Sequence, residues 1–93
     1  HRGGGGYVRI VRKEMHRDEY LMHFFCAIGD SIDGNEAVAY LKNLLGAGLL
    51  QEREYRLCCA AVSGAALAGL PPAERNPARA QIFKQLILAL MSV

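Results

Sequence analysis

Residues 18–29 read Asp18-Glu19-Tyr20-Leu21-Met22-His23-Phe24-Phe25-Cys26-Ala27-Ile28-Gly29. Tyr20, Leu21, Phe24, Phe25 and Ile28 recur at i, i+1, i+4, i+5 and i+8, which predicts one broad apolar stripe on a helix that ends near Gly29. Met22 and Cys26 fall to the side of the stripe. A helix apolar over so much of its circumference needs more than one neighbour to cover it, so the fold turns on whether the rest of the chain supplies further helices.

It does. Asp33 followed three residues later by Glu36 has the spacing of a capping box, and Ala37, Val38, Leu41, Leu44 and Leu45 continue at helical spacing until Gly46 and Gly48. A third helix is predicted over Gln51 to Ala68, with Glu52 and Glu54 at the positive end of its dipole and Gly69-Leu70-Pro71-Pro72 as its stop. Leu57 to Leu70 carries no charge. That run is shorter than the roughly 18–20 residues of a membrane span and is rich in Ala, Ser and Gly, which predicts a closely packed central helix and not a bilayer segment. Asn76-Pro77 opens a last helix, asparagine as cap and proline in the first turn. Its stripe is Ile82, Phe83, Leu86, Ile87, Leu90 and Met91, opposite the polar positions Arg79, Lys84 and Gln85. The expected fold class is mainly α, with a four-helix bundle, whole or shared between two chains.

Upstream the pattern changes. Arg2-Gly3-Gly4-Gly5-Gly6 leads into Tyr7-Val8-Arg9-Ile10-Val11-Arg12, a run that reads as a strand with a basic residue every third position. Four glycines where a turn needs one or two indicate a backbone that flexes or comes very close to something. Composition alone leaves a flexible hairpin or linker and a ligand contact both open. Charge favours a polyanion at this end. Residues 1–17 carry Arg2, Arg9, Arg12, Lys13 and Arg17 against Glu14, a balance of +4, while residues 18–93 hold six basic and eight acidic groups, a balance of −2. Arginine beside a glycine turn suits the narrow minor groove of DNA. Because the chain opens at His1 within what reads as a turn, and a lone strand needs a partner, we expect a truncated chain. The expected division is residues 1–13 as the remnant of a DNA-binding domain and 14–93 as a helical pairing domain.

Arg2-Gly3-Gly4-Gly5-Gly6-Tyr7-Val8-Arg9-Ile10 resembles the R-G-G-G-G-Y-[IV]-R-I signature of the CtsR family, repressors of class three heat-shock genes in Gram-positive bacteria. The similarity continues in order through Asp33-Gly34-Asn35-Glu36-Ala37-Val38, Gly48-Leu49-Leu50-Gln51-Glu52-Arg53-Glu54 and Leu70-Pro71-Pro72-Ala73-Glu74-Arg75. It implies a cytoplasmic winged helix-turn-helix repressor, acting as a homodimer on operators of Clp protease and chaperone genes. By position, Arg2 would enter the minor groove, Gly3, Gly4, Gly5 and Gly6 would form the wing tip, and Arg9 and Arg12 would support phosphate contacts. The resemblance also implies regulation by the McsB arginine kinase, with Arg2 as a phospho-arginine candidate, and a ClpC-type unfoldase as partner. No cofactor is implied. The recognition helix of such a repressor precedes the wing, so a chain opening at His1 should bind DNA weakly and in a salt-sensitive way. Candidates for the dimer core are Phe24, Phe25, Ile28, Leu41, Leu44, Val62, Phe83, Leu86, Ile87 and Leu90.

Other readings stand beside this one. A helical adaptor module with a glycine-rich tail would share every helix and differ only in having no DNA role. A phosphate-binding loop needs Lys-Ser or Lys-Thr after its glycines and then a helix, whereas Tyr7-Val8 leads into a strand. His16, His23 and Cys26 offer only one helical ligand pair and no second pair at metal-binding spacing. Cys26, Cys58 and Cys59 form no C-x-x-C motif and no even framework, which fits a reducing compartment, with Cys58 and Cys59 as small side chains on different helix faces. Glu14, Asp18 and Glu19 suit a solvated helix start. No nucleophile, base and orienting group recur together, so an enzyme is not expected.

Overall fold

The computed structural model describes residues 17–92. Helix α1 covers residues 17–28 of these, followed by α2 (Gly34–Gly46), α3 (Glu52–Val62) and α4 (Pro72–Met91). The architecture is mainly α, four helices forming a bundle. No strand occurs among the described residues, and the predicted wing, with Gly3 to Gly6 and the strand at 7–12, lies outside them.

Local chemistry sets most of the helix ends. At the start of α2 the Asp33 carboxylate accepts from the Glu36 N–H at 2.8 Å, the capping bond its spacing predicts. At its end Gly48 takes φ +79°, the Gly48 N–H donates to the Leu45 carbonyl and the Leu49 N–H to the Leu44 carbonyl. That is a Schellman closure, and it turns Leu49 and Leu50 back onto the core. Gly29 ends α1 with φ +64°. At the start of α3 the Glu54 carboxylate accepts from the Gln51 N–H at 2.8 Å.

Two boundaries depart from the sequence expectation. The third helix ends at Val62 and not at Ala68. Ser63 is extended (ψ 164°), and residues 64–70 form successive turns whose N–H bonds run Leu67 to Gly64, Ala68 to Ala65 and Leu70 to Leu67. Only Leu67 of this segment is buried, so the small residues form an exposed connector and not a packed central helix. The last helix begins at Pro72 and not at Asn76, because Pro72 serves as the first residue of the new helix and not as a mere stop. Pro77 then sits inside α4 on its exposed side, near enough to the start that it removes a single helical bond.

The third departure is Arg79. The sequence reading placed it on the solvent face; the structure buries it, 5% exposed. It lies four residues before Phe83, on the same helical face, so the apolar stripe of α4 carries a guanidinium at its head. Nε donates to the Val62 carbonyl at 2.7 Å, and Nη1 donates to the Ile32 carbonyl at 3.0 Å and to Oδ1 of Asn76. One side chain thus ties the α1–α2 connector, the last residue of α3 and the first half of α4. Backbone reinforces the same junction, since the Ile32 N–H donates to the Asn76 carbonyl at 3.2 Å.

The core fills from all four helices. Leu21, Phe24 and Ile28 of α1 meet Ala37, Leu41 and Leu44 of α2, Cys58 and Val62 of α3, and Ala80, Phe83 and Ile87 of α4. Edge-to-face aromatic contacts run across it from Tyr20 to Phe24 (4.9 Å), Phe24 to Tyr40 (5.2 Å) and Tyr40 to Phe83 (6.2 Å). Helix α1 lies antiparallel to α4. Arg17 Nη2 donates to the Leu90 carbonyl at one end, and Lys84 reaches Asp30 and covers the Phe25 ring at the other.

Replacing Arg79 with Met keeps side-chain volume but strips three acceptors of their donor, two of them carbonyls at buried bonds. The expected loss is about 2–4 kcal/mol in chemical denaturation. Arg79→Lys should recover less than half of it, because one ammonium does not span acceptors that a planar fork reaches. A loss under about 0.5 kcal/mol for Arg79→Met would show that this junction does not hold the bundle together.

Candidate functional site

An apolar groove of about 330 Å³ runs between α2, α3 and α4. Phe83 and Ile87, both fully buried, form its floor together with Leu41 and Leu44 of α2. Leu50, placed by the Schellman turn, closes one end. Leu57 and Cys58 of α3 line one wall and Leu86, Ala89 and Leu90 of α4 the other, and Glu54 is the one charged residue of the lining.

The groove exists because of helical register. On α4 the Phe83–Ile87 ridge faces the core, so Leu86 and Leu90 fall on its flank and remain half-buried. On α3 Cys58 and Val62 point inward, and Leu57 stands on the outer rim, 65% exposed. Leu57 is the most exposed large apolar residue of those described; Met22 and Leu88 are 39% and 41% exposed. Sequence reasoning passed over Leu57, although the signal was there. It sits four residues after Arg53 and three after Glu54, so it is an apolar residue on the charged face of its helix.

The residues predicted as a dimer core divide into two groups. Phe24, Ile28, Leu41, Leu44, Val62, Phe83 and Ile87 are buried within the single chain and build its own core. Phe25, Leu86 and Leu90 are half-buried at its edge, the last two in the groove. The predicted DNA-contacting residues Arg2, Gly3, Gly4, Gly5, Gly6, Arg9 and Arg12 lie outside the described residues, as does His16. Among the described residues no three His, Cys, Asp or Glu side chains converge as metal ligands. No described helix is long and apolar enough to cross a membrane.

The groove also holds the one clearly shifted thiol. Burial pushes the Cys58 thiol above its ordinary value of 9.0, with Cys59 and Glu54 adding to the effect. The Tyr55 phenol is pushed up as well, first by its hydrogen bond with Cys59. All three cysteines are free, Cys26 exposed and Cys58 buried. A raised thiol resists forming the thiolate that oxidation or alkylation requires, so Cys58 acts here as a packing residue.

Comparison with known proteins gives a family. Residues 16–88 match the family described as the CtsR C-terminal dimerization domain. A protein of Staphylococcus haemolyticus named transcriptional regulator CtsR is 39% identical over 88 residues, covering 92% of this chain and 56% of that protein. A transcriptional regulator CtsR of Staphylococcus aureus is 35% identical over the same length and coverage. The chain therefore spans little more than half the length of these curated relatives. No solved structure matches it.

The thiols report on the groove directly. At pH 8 an aromatic disulfide reagent should consume Cys26 quickly and Cys58 at least about tenfold more slowly, the difference vanishing in denaturant. Because the folded thiol of Cys58 titrates above the unfolded one, its contribution to stability is complete below the ordinary thiol value. It declines as pH rises through and beyond it, and Cys58→Ala should flatten that decline. Equal reaction rates for Cys26 and Cys58 in the folded chain would contradict the burial of the thiol.

Proposed function

The chain belongs to the CtsR family, and on that premise we propose that it serves as the subunit-pairing part of a DNA-binding transcriptional repressor of heat-shock and protein quality control genes, among them Clp protease and chaperone operons. The observation that carries this reading is the match of residues 16–88 to a dimerization domain, coinciding with the helical bundle those residues fold into. The relatives are named as transcriptional regulators, and none is named for a catalytic activity.

The working form in this proposal is a homodimer in the cytoplasm. Pairing the helical domain of two copies would fix the distance between two DNA-contacting ends and so the spacing of the half-sites they occupy. Residues 1–13 would belong to the DNA-contacting end and 14–93 to the pairing domain, a division supported by the start of the family match at residue 16. Arg2, Gly3, Gly4, Gly5 and Gly6 would form a wing tip, with Arg2 in the minor groove and Arg9 and Arg12 against phosphates. The charge of +4 over residues 1–17 supports that assignment. Phosphorylation of Arg2 by an McsB-type arginine kinase would set a phosphate against the phosphates of DNA and favour release, and a ClpC-type unfoldase would follow as partner.

Two measurements test the proposal. Light scattering at micromolar concentration should give about twice the 10.2 kDa chain mass, and a strictly monomeric mass would remove the dimer. Duplex DNA should bind with an affinity that falls steeply with salt. The combined Arg2→Ala, Arg9→Ala and Arg12→Ala variant should weaken it and lower the salt slope by up to roughly three, leaving the mass unchanged. An unchanged slope would mean that these arginines do not meet phosphates.

A further inference from the structure

We propose that the solvent face of α1 holds a site for a soft monovalent metal ion of the copper(I) type, with the Cys26 thiolate, the Met22 thioether and the His23 imidazole as its ligands. The site goes beyond the repressor reading above and does not depend on it.

The first observation is where the sulfur-bearing side chains stand. Leu21, Phe24 and Ile28 turn inward and carry α1 into the core. The opposite face of such a helix ordinarily carries charged and polar groups, whereas cysteine and methionine are residues of interiors. On α1, Met22 is 39% exposed and Cys26 is exposed as well, so both stand where they contribute nothing to the packing of the bundle.

Spacing then gathers them with a third donor. Met22 and Cys26 are four residues apart and His23 and Cys26 three, the two separations that make side chains neighbours on a helix surface. Cys26 lies one turn beyond Met22 and His23 and between them in angle, which sets the three donors at the corners of a triangle. Together with Glu19 and Tyr20 they line one open pocket of about 450 Å³. The scaffold beneath is fixed, because Leu21 and Phe24 are buried on the inner side of the same turns. The His23 ring also meets the Phe24 ring edge-on at 6.2 Å, which limits the swing of the imidazole.

Ligand chemistry selects the ion. Thiolate and thioether sulfur favour copper(I), and imidazole suits copper too. Zinc asks for four ligands or for three and a water, and among the described residues no three His, Cys, Asp or Glu side chains converge to supply them. Binding exchanges the Cys26 thiol proton for the metal: a copper–sulfur bond forms, the proton leaves to water, and copper stays in its +1 state. The other described thiols are less suited. Cys58 is buried against the aliphatic lining of the groove, and Cys59 is hydrogen-bonded with the Tyr55 phenol.

Titration of the full chain with copper(I), kept reduced by ascorbate and read by competition with bicinchoninate, tests the site. One ion per chain is expected. Cys26→Ser should weaken binding at least about a hundredfold, and Met22→Leu and His23→Gln each about tenfold, since each removes one donor at nearly constant size. Cys58→Ala and Cys59→Ser should stay within about threefold of the parent. Helical circular dichroism should be unchanged in the three α1 variants, because none of these side chains belongs to the core. Silver(I), which does not cycle between oxidation states under these conditions, should rank the variants in the same order and so separate ligation from oxidation of the thiol. A loss confined to Cys26→Ser would reveal a single thiol capturing metal and would overturn the site. So would one ion shared between two chains, or binding abolished by Cys59→Ser instead. Zinc(II) held as tightly as copper(I) would overturn the choice of ion.

Discussion

The bundle depends on a buried cation with no carboxylate partner. The charge of Arg79 is met instead by backbone dipoles and an amide, through bonds to the carbonyls of Val62 and Ile32 and to Asn76 Oδ1. The Val62 carbonyl is not an ordinary acceptor. It belongs to the last residue of α3, where the carbonyls of the final turn are unpaired and the helix dipole is negative. A guanidinium there satisfies an orphaned acceptor and the field of the helix together. Charge-assisted bonds of this kind contribute about 1.5–3 kcal/mol each, enough in combination to offset the cost of drawing the side chain out of water.

That constraint explains the proportions of the molecule. With its terminal carbonyl held by Arg79, α3 stops at 11 residues although alanines continue beyond it, and Ser63 turns the chain into the connector. Arg75 repeats the device on a smaller scale, donating from Nε to the Leu70 carbonyl and from Nη2 to the Ala68 carbonyl. Two arginines one helical turn apart therefore hold the connector against the first half of α4. On the side away from α1, the second half of α4 faces the beginning of α3 and the end of α2, and it is there that the groove opens. A short α3 beside a 20-residue α4 leaves apolar surface that one chain does not cover.

Much of this was legible in the sequence, and the reasons for the misses are physical. Helical spacing identified the inward residues of α1, α2 and α4, because a stripe such as Phe83–Ile87 is visible without knowing its neighbours. Asp33 and Gly48 marked the ends of α2, because a cap and a left-handed turn are local events. The end of α3 was not legible, since it is set by a residue 17 positions away, and Pro71-Pro72 was read as a stop where Pro72 is also a start. Arg79 was placed on the solvent face by residue type against its own spacing, which set it in line with Phe83. Leu57 was hidden in a different way. Its spacing after Arg53 and Glu54 marks an apolar residue on a charged helix face, but how far it projects depends on the register of the whole helix. Of the candidate site, then, the residues holding the groove together were readable, and its rim was not.

The groove has one more connection, and it bears on how pairing could be coupled to the basic end of the chain. Leu90 contributes its side chain to the groove wall and its carbonyl to the bond from Arg17 at the start of α1. The same arginine lies 3.6 Å from Asp18, which steadies its orientation. Anything seated against Leu90 is thus one hydrogen bond away from Arg17 of α1. Packed interiors transmit small displacements because they have little room to absorb them. An occupant that fixes the last turn of α4 also fixes where α1 begins.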